Sequence, residues 1–301
     1  MKINTNISSL TAQEASKNTN NSIAKSLEAL STGLRINKAS DDASGLAIAD
    51  KLRTQVTSIN QGISNGNSAI ALLQIADKSM AEQSKILDTV KAKLIQANTD
   101  TTSSIGRVAI AKDVTKLLDQ LNNIAKQTNY NGTALLQKGM GSAATATTSS
   151  AGLTFQIGES NTDLISTKAI QANVSGYSLI SLKTDTSAGA DATISTDGKT
   201  VTANGFTRTM ASSYMNSIDS AITKLNGYRG DIGSTQNQVE SAVRNLMTQA
   251  TNIKNAESVI RDVDYAEESA NFNKLNIISQ AGSYAISQSN AVSQNVLRLL
   301  Q

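Results

Sequence analysis

Apolar residues recur at alternating steps of three and four through most of this chain, the spacing that lays one stripe along a helix. In the last thirty residues, Phe272 to Gln301, the stripe runs Leu275, Ile278, Gly282, Ala285, Ser289, Val292, Val296 and Leu299. No charged residue stands between Leu275 and Leu297, yet Asn276, Gln280, Ser283, Gln288 and Asn290 make the segment too polar for a bilayer core. Its stripe therefore needs protein cover. The opposite end carries a matching stripe, Ile3, Ile7 and Leu10, then Ile23, Leu27, Leu30 and Leu34. The two ends are expected to pair.

Residues 3–36 are predicted to form a helix that stops near Gly33, whose missing Cβ suits a left-handed C-terminal turn. A polar break follows from Asn37 to Gly45, with Ser40 or Asp41 expected to cap the next helix and Asp42 near its positive end. From Leu46 onward, Ile48, Leu52, Val56, Ile59, Ile63, Ile70, Leu73, Met80, Leu87 and Leu94 track one face for about fifty residues. At ~1.5 Å per residue that is a rod of roughly 75 Å. The polar stretch Asn98 to Ser104 turns the chain into a second helix carrying Ile110, Val114, Leu117, Leu121 and Ile124, which ends near the turn signal Asn129-Tyr130-Asn131-Gly132. A short connection between long helices predicts an antiparallel pair.

Residues 139–205 differ in kind. Gly141 to Gly152 is low-complexity, Leu153-Thr154-Phe155-Gln156-Ile157 alternates as a strand does, and Asp197-Gly198 inside Ile194 to Val201 is a hairpin signal. The helical period returns at Met215, Ile218, Ile222 and Leu225 and runs through Ile232, Val239, Val243, Leu246 and Ile253 to Ile260, before Arg261-Asp262-Val263-Asp264-Tyr265 breaks it. The expected fold is mainly α: a long antiparallel helical bundle or coiled-coil rod with paired terminal helices and a small β-hairpin-containing insert. Three regions follow. Residues 1–40 with 265–301 form a terminal coiled coil, 41–138 with 206–264 a helical rod, and 139–205 a small β element and variable loop.

Composition narrows the chemistry. The 301 residues include no Pro, Cys, His or Trp, and aromatics are 3%. Long unbroken helices fit this, an aromatic-rich core does not. A net charge of +3 without a Lys/Arg block gives no surface for nucleic acid or an anionic membrane. Without His or Cys, neither a catalytic triad nor a His/Cys metal site can be assembled. Asp41-Asp42 and Glu267-Glu268 are adjacent pairs, read as helix-start charges rather than a carboxylate couple across a cleft. No enzyme activity, cofactor or metal is expected. Met1 to Ile7 lacks the apolar core and cleavage site of a secretory signal peptide.

Two stretches carry a family resemblance. Leu27-Glu28-Ala29-Leu30-Ser31-Thr32-Gly33-Leu34-Arg35-Ile36-Asn37, continuing through Asp41-Asp42-Ala43-Ser44-Gly45, resembles the N-terminal signature of bacterial flagellins. Ile260-Arg261-Asp262-Val263-Asp264-Tyr265-Ala266-Glu267-Glu268, with Gln280-Ala281-Gly282 and Gln294 to Leu300, is similar to their C-terminal signature. The resemblance covers residues 1–137 and 212–301. It implies an extracellular flagellar filament protein used for motility, exported unfolded by the flagellar type III apparatus with a chaperone on its C-terminal segment. It also implies a helical homopolymer whose inner core is lined by the paired termini, bounded by a filament cap and hook-filament junction proteins. The chain resembles a short form lacking large outer domains.

Departures from the family pattern carry their own expectations. Ser293 stands where a proline is usual. In the outer patch that the animal Toll-like receptor 5 reads on many flagellins, Thr89 takes an Arg position, Lys93 an apolar one and Asp113 a Glu one, which implies weak or absent recognition. The Ser/Thr-rich insert is either a solvated loop or a site of O-linked sugars. Three rival readings remain at this point: a hook-filament junction protein, a signalling coiled coil, and an ordinary intramolecular bundle.

Overall fold

The computed structural model describes residues 6–137, 152–191, 193–194, 201–203 and 205–299. Ile3 and the loop residues 141–151 lie outside the described residues, as do the hairpin turn 195–200 and the side chains of Ser293, Val296 and Leu299. The chain divides into two compact units, Ser58–Thr248 and Met1–Thr57 with Gln249–Gln301.

The central unit is built on α3 (Ser104–Gln127) and on the parts within Ser58–Thr248 of two longer helices, α2 (Ala43–Asn98) and α5 (Arg208–Arg261). On α2 the buried positions Leu73, Ala76, Met80, Gln83, Leu87, Val90, Leu94 and Ala97 alternate in steps of three and four. On α3 they are Ala111, Val114, Leu118, Leu121 and Ala125, and on α5 Ile218, Ala221, Leu225, Ile232, Thr235 and Val239. The expected Leu117 and Ile124 of α3 are only half-buried, because the buried face lies one residue further on, through Leu118 and Ala125. Each fully buried Leu contributes about 1.5–3 kcal/mol of transfer free energy.

The α2–α3 turn is satisfied by side chains. Ser103 caps α3 by accepting from the Gly106 N–H at 3.0 Å, and Arg107 donates to the carbonyls of Ala97 and Thr99 at the end of α2. The strands β1 (Asn129–Tyr130) and β2 (Thr133–Ala134) pair antiparallel across Asn131 and Gly132, both at positive φ (49° and 80°), as a type I′ turn requires.

The strand expected at Leu153 to Ile157 is β3 (Thr154–Gln156), and its partner β4 (Leu164–Ser166) carries no alternation that marks it in the sequence. This hairpin lies against α2 at Gly62, where a Cβ would stand 2.0 Å from the Ile157 carbonyl oxygen. Nearby, the Asn65 amide donates to the Gln156 carbonyl at 3.0 Å. The next element departs from the expected insert of β element and loop. Residues Ile180–Ala190 form a helix, α4, burying Leu182, Thr186 and Gly189. Its Ser/Thr/Gly-rich sequence has no apolar stripe, so packing supplies what propensity does not. The strands β5 (Thr193–Ile194) and β6 (Val201–Ala203) pair antiparallel on either side of the expected hairpin turn.

The terminal unit contains α1 (Ile7–Thr32) and α6 (Tyr265–Leu299). Gly33 ends α1 at φ 73°, donating its N–H to the Ala29 carbonyl, as the sequence predicts. The cap of α2 is Asp42, not Ser40 or Asp41. Asp42 accepts from the N–H groups of Ser44 and Gly45, while Asp41 closes the preceding turn by accepting from Asn37 and Lys38. Asp42 is the residue directly before the first helical turn, where a carboxylate reaches the free N–H groups.

Candidate assembly surface

The helices α1 and α6 pack antiparallel, along a seam that mixes small polar residues with a few large apolar ones. Along α1 the buried and half-buried positions include the series Ser9, Ala12, Ser16, Thr19, Ile23, Ser26 and Leu30, in steps of three and four, with Glu28 and Ala29 half-buried near its end. Facing them on α6 are Glu268, Phe272, Leu275, Ser279, Gly282, Ile286 and Ser289. Hydrogen bonds set the register: the Asn6 amide donates to the Ser289 carbonyl at 3.2 Å, the Ser279 hydroxyl to Asn20 at 3.2 Å, and the Ser26 hydroxyl to the Glu268 carboxylate.

The residues expected on the terminal seam therefore divide in two. Ile23, Leu30, Leu275 and Ser289 lie on the half-buried faces of the pair, and Gly282 is half-buried there with no atom within 4 Å of where its Cβ would stand. Leu34 sits just past α1, in a bridge to Asp262. Ile7 (64% exposed), Leu10, Leu27, Ile278, Ala285 and Val292 point outward, together with Ile277 and Tyr284 (74% exposed), which the stripe did not include. The register differs because the seam follows the Ser9 to Leu30 series of α1 and not the Ile7, Leu10 and Leu27 positions. The signal that could have found the observed seam is the second 3–4 series in the same sequence, Ser9-Ala12-Ser16-Thr19-Ile23-Ser26-Leu30, whose small members admit close helix approach but little area burial.

The two signature stretches meet at one joint. The Arg35 N–H donates to the Arg261 carbonyl at 2.7 Å, the Val263 N–H to the Gly33 carbonyl at 3.0 Å, and the Arg35 guanidinium to the Ile260 carbonyl at 2.7 Å. The Tyr265 hydroxyl donates to the Leu30 carbonyl at 2.9 Å and stands 3.5 Å from where a Gly33 Cβ would be. The Asn37 amide reaches Thr32 at 2.7 Å. Ile36 is buried, and a Cβ on Gly45 would come 2.8 Å from its Cδ1 and 2.4 Å from Asp42 Oδ2. Asp264 caps α6 by accepting from the Ala266 and Glu267 N–H groups. Arg261 is largely buried, 3.9 Å from the Asp50 carboxylate, and its Nε has no hydrogen-bond partner. The Gly45 and Ser44 donors hold the Asp42 carboxyl below its ordinary pKa, and the Glu28 carboxylate raises that of Lys38.

Thr89, Lys93 and Asp113 lie together on α2 and α3. Thr89 donates its hydroxyl back to the Lys85 carbonyl at 2.8 Å, and Lys93 pairs with Asp113 at 2.8 Å. Among the described residues no group of three His, Cys, Asp or Glu side chains converges, and no helix is long and apolar enough to cross a membrane.

Two family models match the chain. "Bacterial flagellin N-terminal helical region" covers residues 3–140 and "Bacterial flagellin C-terminal helical region" covers residues 215–300. Curated relatives align end to end. The flagellar filament 33 kDa core protein of Treponema phagedenis is 32% identical, with all of both chains covered. Flagellin of Bacillus subtilis is 35% identical, and flagellar filament core protein flaB2 of Brachyspira hyodysenteriae is 32% identical, each again with all of both chains covered.

Proposed function

The chain belongs to the bacterial flagellin family, and from that premise we propose that it is the structural subunit of a flagellar filament, polymerising through α1 and α6. The observation that carries the mode of assembly is the number of large apolar side chains left exposed on this helix pair, Ile7, Leu10, Leu27, Ile277, Ile278, Tyr284 and Val292. An apolar row of that kind is stabilised by burial against copies of the same chain at about 25 cal/mol per Å². Relatives that align over their whole length bear flagellin and filament-core names, which favours the filament subunit over a hook-filament junction protein.

The same reading carries the expected domain plan, in which 1–40 with 265–301 forms the inner layer and 41–138 with 206–264 the helical layer around it. It places the protein outside the cell, delivered through the flagellar export apparatus, with a chaperone holding the C-terminal segment beforehand and cap and junction proteins bounding the filament. It assigns no catalysis and no cofactor. Lys93 is engaged by Asp113, and Thr89 by its own helix, so the patch offers no free guanidinium. That supports weak or absent Toll-like receptor 5 activation, to be read in a cell reporter assay against an Arg-bearing flagellin.

The test is deletion of Phe272 to Gln301. Purified subunit lacking it should fail to extend filament seeds while the helical core of the central unit keeps its far-UV circular dichroism. Normal seed growth would overturn the proposal.

A further inference from the structure

The segment Ile170–Leu179, between β4 and α4, has no regular secondary structure, yet Ile170, Ala172, Asn173, Val174, Tyr177 and Leu179 are buried. Irregular buried backbone must find partners for its N–H and C=O groups. Some lie within the segment, and the Ala172 N–H donates to the Leu136 carbonyl at 2.8 Å; three helices supply the rest. The Gln83 amide of α2 donates to the Ala172 carbonyl at 2.8 Å and to the Leu121 carbonyl of α3 at 3.3 Å, and its oxygen accepts from the Tyr177 hydroxyl at 3.0 Å. Asn122 of α3 accepts from the Val174 N–H at 2.9 Å, and Lys224 of α5 donates to the Gly176 carbonyl at 2.7 Å. Asn173 Oδ1 accepts from the Gly176 N–H at 2.7 Å. Gln83 is fully buried at a place on the α2 stripe whose neighbours, Met80 and Leu87, are apolar.

A polar side chain in an apolar stripe loses hydration that its new hydrogen bonds only restore, so its net gain in stability is small; what such a network supplies is one geometry in which every group is paired. We propose that Gln83 is a register lock: it fixes where the segment 170–179 sits on α2, α3 and α5, and through that segment the placement of the β3–β4 hairpin and α4. Leu164 on β4 and Ile180 at the start of α4, both about half exposed, flank the locked segment. The lock thereby sets where two apolar side chains are offered to a neighbouring copy, a consequence that rests on the filament reading, whereas the lock itself is tested on the soluble chain.

The experiment is residue-resolved amide hydrogen exchange on full-length soluble chain, comparing Gln83→Met, Tyr177→Phe and the double variant. Gln83→Met keeps the side chain's length and removes its polar groups. The expected result is exchange at Ala172, Val174, Tyr177 and Leu179 at least about tenfold faster in each variant, with Leu87 and Leu225 unchanged. In the double variant the Ala172 carbonyl still lacks its Gln83 donor, so the segment should exchange fast there too. Unchanged exchange in the segment overturns the lock, as does uniform acceleration across the central unit. Return of the double variant to wild-type rates also overturns it, since only an unpaired-group penalty would then have been at work. If Gln83→Met does not fold, Tyr177→Phe alone carries the same reading.

Discussion

Both units of this chain bury a stripe with the same alternation of three and four, and they fill it with opposite side chains. In the central unit the stripe on α2 is Leu73, Ala76, Met80, Leu87, Val90 and Leu94, interrupted once by Gln83. In the terminal unit the stripe on α1 is Ser9, Ala12, Ser16, Thr19, Ile23, Ser26 and Leu30. The central helices are further tied by ion pairs between elements, Arg229–Asp77, Lys91–Asp219 and Lys183–Asp119, whereas α1 and α6 share hydroxyl and amide hydrogen bonds. Period alone sets which residues meet; composition decides whether the meeting holds without help. The central stripe is almost wholly apolar and fully buried, whereas the terminal pair mixes Ile23, Leu30, Phe272, Leu275 and Ile286 with Ser and Gly and leaves Ile7, Leu10, Ile277 and Tyr284 exposed.

The contrast is broken most forcefully in the central core. Leu118→Ala, at a fully buried site, should cost about 3 kcal/mol and lower the main unfolding transition in a denaturant titration of the soluble chain. A loss under about 1 kcal/mol would mean that the core is looser than its burial implies. Next comes the outward row. Leu27→Ser, at a 55% exposed site, should leave soluble-chain stability within about 0.5 kcal/mol, yet raise the critical concentration for seeded growth at least about tenfold, or about 1.4 kcal/mol. If soluble stability falls with it, Leu27 serves the pair itself.

Smaller effects sharpen the same division. Gly282 has no atom within 4 Å of a built Cβ, so Gly282→Ala should stabilise α6 by about 0.5–1 kcal/mol through helix propensity, seen as higher helicity of the soluble chain. The least effect is expected at the joint. Asp42 has a folded pKa below its unfolded value near about 3.9, so its stabilisation is complete above that value and is lost as the pH falls through the lower, folded one. The difference in thermal unfolding between wild type and Asp42→Ala should be constant near neutrality and shrink below about pH 4.

Much of this was legible from residue order. The glycine stop at Gly33, the break at Arg261 to Tyr265, the Asn131-Gly132 turn and the apolar period of α2 from Leu73 to Leu94 each follow from local stereochemistry, and the structure has them, whereas Ile48, expected on that face, is 52% exposed beside the buried Ala49. The terminal seam was legible only in part. Reading Ile7, Leu10 and Leu27 as the buried stripe assumes that every apolar 3–4 series turns toward the partner helix, whereas these three are more than half exposed in the single chain. The helix α4 was hidden for another reason: Leu182, Thr186 and Gly189 are held by surrounding structure, with Gly189 pressed so close to Phe206 that a Cβ would stand 2.8 Å from it. The partners of Arg35 and Tyr265 lie more than two hundred residues away in sequence, beyond the reach of spacing.

The most direct test of the account is amide hydrogen exchange along α1 and α6 in soluble subunit and in assembled filament. In the soluble subunit, amides from Ser279 to Val292 should exchange at least about a hundredfold faster than those of Leu87, Leu118 and Leu225, and in the filament both sets should be protected. Equal protection of Ser279 to Val292 in the two states would contradict it, because the terminal pair would then be stable without neighbouring copies.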